Sequence, residues 1–373
     1  MGDSPLKTTQ TVRNIMPSPI LSHWIDLKKN SRKFLFPALG IVALILILQI
    51  GKHFRTPTPP KNSSVYQPLT EIPATAQKVT VGVFAQNIYE LNASSNTYYM
   101  DFYLWLRWKG KIDPIANLEF MNGVEDWGRI IEPAYPEPKK LKDGSLYQIM
   151  RVESRFREPF EFSRYPLDEQ RLGVTIENAV YPLNQLVYVA DTKESGYAAD
   201  LTVPGWKIRN SAIKTLSHPY PSNFGDLDEG KNNSIYSTLR FEMHISRPLS
   251  FFTWKLLLPL FVVLFSSWGS LLLYPIYIDS RIILPVTALL TIVFLQQSYS
   301  DALPDVGYLV LLDKIYALVY VLIIAGILET IITADWIKSE HPESIVRVKK
   351  LDRWFLIANI VILSGGMILF LLF

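Results

Sequence analysis

Seven side chains in residues 279–301 carry the first pattern with chemical content. Steps of four and three residues lead from Asp279 through Ile283, Thr287, Leu290, Phe294 and Gln297 to Asp301. That spacing puts all of them on one face of an α-helix. The face has a carboxylate at each end, a hydroxyl and an amide between them, and an apolar middle. These groups can attract a hydrated cation and obstruct it; they do not make or break bonds. A helix facing only lipid would not gather carboxylates, an amide and a hydroxyl in one stripe. The plainer alternative is that the two carboxylates cap the helix at the membrane interface while Thr287 bonds its own backbone.

The sequence offers little else to an enzyme. It has no cysteine, and its five histidines, His23, His53, His218, His244 and His341, are scattered. That excludes a disulfide framework, a thiolate metal site and a cysteine nucleophile. No HExxH, GxSxG, glycine-rich phosphate loop or zinc spacing occurs. The chain thus reads as no enzyme, with no cofactor and no metal. A formal net charge of only +3 over 373 residues argues against nucleic acid as a partner.

The elements that position the stripe are membrane spans. Charged residues make up only 19% of the chain and the mean hydropathy is +0.15, unlike most water-soluble chains. The apolar residues lie in blocks. Residues 34–51, 256–278, 282–300 and 354–373 carry no charge, and 306–334 carries only Asp313, Lys314 and Glu329. About 20 apolar residues cross a bilayer, so the pattern predicts one isolated N-terminal segment and four packed spans near the C-terminus. Lys28, Lys29, Arg32 and Lys33 precede the first segment. Arg281 lies between the second and third, and Lys338, Arg347, Lys349, Lys350 and Arg353 between the last two. The loop from Asp301 to Gly307 has Asp301 and Asp305 and no base. Basic loops stay cytoplasmic, which places residues 52–248 and the C-terminus outside, in a multi-pass protein of the plasma (inner) membrane.

The domain plan is a tail or signal n-region (1–33), a signal anchor or signal peptide (34–51), a linker (52–78), an external domain (79–247) and a four-helix membrane domain (248–373). In the external part the period is two. Met100, Phe102, Leu104, Leu106 and Trp108 share one face, as do Leu172, Val174 and Ile176, and Leu239, Phe241, Met243 and Ile245. Short alternating runs between Pro, Gly and Asn clusters predict an antiparallel β-sandwich of about ten strands. The fold class is therefore an α+β membrane protein: an extracellular sandwich, then a four-helix transmembrane bundle, with an additional N-terminal hydrophobic helix. Arg247 and Pro248 join the two without a linker.

From about Val79 to Phe373 the chain resembles the pentameric ligand-gated ion channels, the Cys-loop superfamily, in their cysteine-free prokaryotic form. The resemblance rests on Tyr165-Pro166-Leu167-Asp168 within the loop 160–172, on Ile245-Ser246-Arg247-Pro248 leading into a helix with Pro259, on Ser280 to Pro304, and on Ile327-Leu328-Glu329. Glu158 and Leu172 stand where animal members carry their bracketing cysteines.

This resemblance implies a homopentamer whose five 280–300 helices line a pore, opened by a small-molecule agonist or by protons. Asp279 and Asp301 would form inner and outer carboxylate rings that select monovalent cations, with Thr287 offering hydroxyls to a partly dehydrated ion. Leu290 and Phe294 would form a gate that closes by dewetting. Ile283 would narrow the inner mouth, where the family commonly has a small or polar residue. Pro285 is a second departure, and Arg281 would point away from the axis.

The resemblance also assigns coupling to the loop of Tyr165, Pro166 and Asp168, with Asp168 pairing Arg247. The ligand would bind between sandwiches, with Tyr103 on one face and Tyr181, Tyr220 and Phe224 on the other. Ala179 stands where the family often has Trp, so Glu177 is a candidate for a cationic ligand group. Proton activation would act through Glu153, Glu158, Glu161 or Glu177. Membrane lipid is the remaining partner. Two other readings stay open: a non-conducting, membrane-anchored sandwich that senses a ligand, and a membrane enzyme built on Asp313, Lys314 and Glu329.

Overall fold

The computed structural model describes residues 66–222, 224–225, 235–301, 303–337 and 342–372. The N-terminal hydrophobic segment, the tail before it and the linker as far as residue 65 lie outside the described residues.

Twelve strands come first: β1 (Gln67–Pro68), β2 (Gln77–Asn92), β3 (Thr97–Trp108), β4 (Leu118–Phe120), β5 (Ile130–Pro133), β6 (Lys139–Lys140), β7 (Leu146–Arg157), β8 (Glu169–Asn178), β9 (Leu186–Ala190), β10 (Gly196–Tyr197), β11 (Lys207–Pro219) and β12 (Ile235–Ser246). One sheet runs β1-β11-β12-β8-β4 and the other β10-β2-β3-β7-β5, with β6 paired to β7 and β9 to β2. The pairing is not wholly antiparallel, because β9 and β10 both run parallel to β2. The sandwich also starts before residue 79: β1 pairs with β11, and β2 begins at Gln77.

The alternating residues do what their period dictates. Leu239, Phe241 and Met243 of β12 face Ile176, Val174 and Leu172 of β8 across the ladder. All are buried, as are Met100, Phe102, Leu104, Leu106 and Trp108 of β3, and both sheets feed one core. Each such side chain contributes about 1.5–3 kcal/mol by leaving water.

Four helices follow: α1 (Phe251–Leu272), α2 (Ile278–Ser300), α3 (Leu311–Ile337) and α4 (Pro342–Leu372). Each is long and apolar enough to cross a membrane. With no more than residues 247–250 between β12 and α1, the sheet feeds straight into the bundle. The first turns of α1, Phe251–Leu257, are π-wound and lead into Pro259. The wider turn relieves the clash between a proline ring and the carbonyl one turn earlier. Helix α2 runs unbroken through Pro285. The basic stretch 342–353, expected as a loop between the last two spans, forms the opening turns of α4. Lys and Arg are good helix formers, so the helix extends well beyond its apolar span.

Candidate pore, coupling loop and ligand region

In the single chain every member of the α2 stripe is exposed: Asp279, Ile283, Thr287, Leu290, Phe294, Gln297 and Asp301. Arg281, Pro285, Ala288, Ile292 and Tyr299 on the opposite side are buried against the rest of the bundle. Phe294 is 66% exposed and Ile283 61%, whereas Arg281 is 1% exposed. The stripe is therefore the face that one copy of the chain leaves uncovered. Thr291 donates its hydroxyl to the Thr287 carbonyl at 2.9 Å, and Gln297 donates to Asp301 at 2.7 Å.

The junction is built around Asp168, which is 2% exposed. Its Oδ1 accepts from Arg247 Nε at 2.9 Å and its Oδ2 from Gln170 at 2.7 Å. The Arg247 guanidinium lies 4.1 Å from the Trp206 ring centre and 5.0 Å from that of Tyr165. A planar cation stacked on aromatic rings while holding a buried carboxylate is fixed from several directions.

The loop itself, with a cis Tyr165–Pro166 bond, is fastened to the helices. Leu311 and Leu312, which open α3, donate backbone N–H groups to the carbonyls of Ser163 and Tyr165 at 3.0 and 3.2 Å. Tyr308 donates to Glu161 and accepts from the Phe162 N–H. The Tyr165 ring stacks on Tyr299 of α2, 6.3 Å between centres, and Tyr299 bonds Asp313 of α3. So β8, the loop, α2 and α3 meet in one contact. Beside it residues 90–95, Trp206 and Arg247 line a cavity of about 570 Å³. Trp206, Gln170, Tyr299 and Tyr308 were not among the sequence candidates. They lie up to 147 residues from their partners, and no local pattern joins them.

The ligand candidates fall on the two sheets. Tyr103 of β3 is half-exposed and shares a cavity of about 570 Å³ with Phe84, Trp105, Tyr147 and Asp191. Trp105 lies so close over Gly82 that a Cβ there would sit 2.0 Å from its ring, and its indole donates to Asp191 at 3.2 Å.

On the other sheet Glu177 is 3% exposed. It accepts from His218 Nδ1 at 2.6 Å, Tyr220 at 2.9 Å and Thr238 at 2.7 Å. An ionised carboxylate only accepts, so the His218 proton toward it is on Nδ1. Tyr220 also packs on His218, Phe224 and Tyr236. Burial, then the Glu177 charge, push its phenol up and keep it a donor. Glu177 is thus already served by three side chains, and a cationic ligand would have to displace one. Tyr181 packs against the sandwich core, with its backbone N–H on Asn178.

No family profile matches the chain. Individual proteins do. The proton-gated ion channel of Gloeobacter violaceus is 21% identical over 345 residues, covering 86% of this chain and 92% of that protein. The gamma-aminobutyric acid receptor subunit beta of Lymnaea stagnalis is 24% identical over 189 residues, 50% of this chain and 36% of the subunit. A beta-like subunit of Drosophila melanogaster is 24% identical over 188 residues, again 50% and 36%. With the first match running nearly end to end, the chain is similar over both its sandwich and its four helices to the ligand-gated ion channels of the Cys-loop superfamily.

Proposed function

We propose that the chain is one of five identical subunits of a cation channel of the plasma (inner) membrane, with sandwich and C-terminus outside, opened by protons or by a small agonist. The observation that carries this reading is the exposure pattern of α2. A face with carboxylates at its ends, a hydroxyl and an amide within and apolar residues between is left open, while the opposite face is packed. Lipid is a poor neighbour for that face. Five copies around an axis would give it water and one another instead. Asp279 and Asp301 then form rings that concentrate cations, and Leu290 and Phe294 form the dewetting constriction. The relative named for proton gating makes acid the first stimulus to apply.

The test is a current recording from reconstituted protein under acid steps, with unequal salt on the two sides. The expected result is a cation-selective reversal potential in the wild type. In Asp279→Lys a ring of positive charge should abolish or reverse that preference. Unchanged cation preference in this variant would remove Asp279 from the pore.

A further inference from the structure

Arg281 sits two residues from Asp279, so the two side chains leave α2 on opposite sides, about 200° apart. A basic residue this close to an acidic ring is a hazard to it. Arginine side chains are long enough to bend toward a water-filled mouth, where each would neutralise one Asp279.

In the structure Arg281 is prevented from doing so by all three other helices. Its Nε donates to the Ser270 carbonyl of α1 at 3.2 Å. One terminal nitrogen lies 2.5 Å from Asp352 Oδ1 of α4 and 3.5 Å from Glu329 Oε2 of α3. Arg281, Glu329 and Asp352 are 1%, 8% and 3% exposed. Glu329 and Asp352 also interact with each other. Two desolvated carboxyl groups therefore face one guanidinium.

We propose that Glu329 and Asp352 are selectivity-determining residues that never touch the permeating ion. They sequester Arg281 inside the bundle and so leave Asp279 as the charge that the inner end of α2 presents to the pore. The restraint is divided between the two, with Asp352 at 2.5 Å holding the larger part and Glu329 at 3.5 Å the smaller. This inference rests on the cation-channel reading above.

The test is a selectivity cycle on the full-length assembly: wild type, E329Q/D352N, and R281Q/E329Q/D352N. In E329Q/D352N the buried guanidinium has lost its counter-charges and should turn to the water of the mouth. The cation-to-anion permeability ratio is expected to fall about tenfold, the order of one charge interaction across a few ångströms of water. Adding R281Q should restore it, and that restoration separates sequestration from a merely structural defect. A ratio unchanged in E329Q/D352N overturns the inference and leaves the channel reading standing. A ratio that falls but is not restored by R281Q also overturns it. Wild-type protein that passes anions as readily as cations overturns the cation-channel reading itself, and this inference with it. Should E329Q/D352N fail to assemble, D352N and R281Q/D352N give the same comparison: removing the 2.5 Å partner should lower the ratio about threefold, R281Q/D352N should restore it, and any other pattern rejects the proposal.

Discussion

Glu158 is the first residue after β7, 7% exposed, with Arg240 at 2.9 Å. Burial pushes its carboxyl above the ordinary 4.5; Arg240 and Arg171 offset that only in part, and Glu242 adds to it. Glu242 holds the same guanidinium at 3.4 Å. For it too burial acts upward, but Lys214 and Arg240 prevail and keep it below the usual range. Of the two acids sharing Arg240, Glu158 takes up a proton first. Because its native pKa is raised, the fold holds a proton that the unfolded chain has released. Wild-type stability therefore falls as the pH rises from about 4.5 through the native value. Glu158→Gln cannot titrate, so its melting temperature relative to wild type should climb between about pH 4 and pH 7. Melts across that interval check this, and parallel curves would reject it. In a channel opened by acid the same variant mimics the protonated state, and it should reach half-activation at a higher pH.

Among elements, the loop between β7 and β8 ties the sandwich to the helices. Its carbonyls hold the start of α3, its Tyr165 rests on α2, and its Asp168 holds the strand–helix junction through Arg247. Asp168→Asn leaves a desolvated guanidinium without its charge partner, at a cost of about 3 kcal/mol. Part of that is recovered from the Trp206 and Tyr165 faces. The expected phenotype is an assembly that still forms and melts earlier, yet no longer converts the stimulus into current. Adding Arg247→Gln should return much of the lost stability, because no unpaired charge remains, without returning the current. Recordings beside thermal melts of the three proteins decide this.

These elements were not equally legible. The α2 stripe could be read directly, since one period of one helix contains it, and so could the alternating core faces of β3, β8 and β12. The acid–base pair Asp168–Arg247 came only through resemblance, being 79 residues apart. The partners of Arg281, the donors around Glu177 and the seat of Trp206 were beyond reach. They depend on which helix or strand packs beside which, and a buried ion pair leaves no periodicity. The basic start of α4 was read as a loop because a run of uncharged residues marks the apolar part of a helix and not its charged extension.

At the scale of the whole molecule, two helices leave much surface uncovered for different reasons. Helix α4 exposes Val361, Ile362, Ile368 and Leu372, an apolar surface that lipid satisfies. Helix α2 exposes Asp279, Thr287 and Gln297 beside Ile283, Leu290 and Phe294, and neither lipid nor bulk water satisfies both sets. A closed ring does, with water at the polar ends and ring-to-ring contact at the apolar level. Images down the membrane axis of mildly extracted particles should therefore show fivefold rings, and monomers would leave the stripe without its purpose. In such a ring the closed state is held by the reluctance of water to occupy the apolar level. Leu290→Ser puts five hydroxyls there. The constriction should then wet more readily, and opening should need about tenfold less stimulus, equivalent to about 1.4 kcal/mol shared among the subunits. The same substitution at Val361 of α4, facing lipid, should leave the stimulus dependence where it was. Dose–response curves of the two variants separate a pore-facing residue from an exposed one. If they shift alike, the stripe on α2 is not the gate.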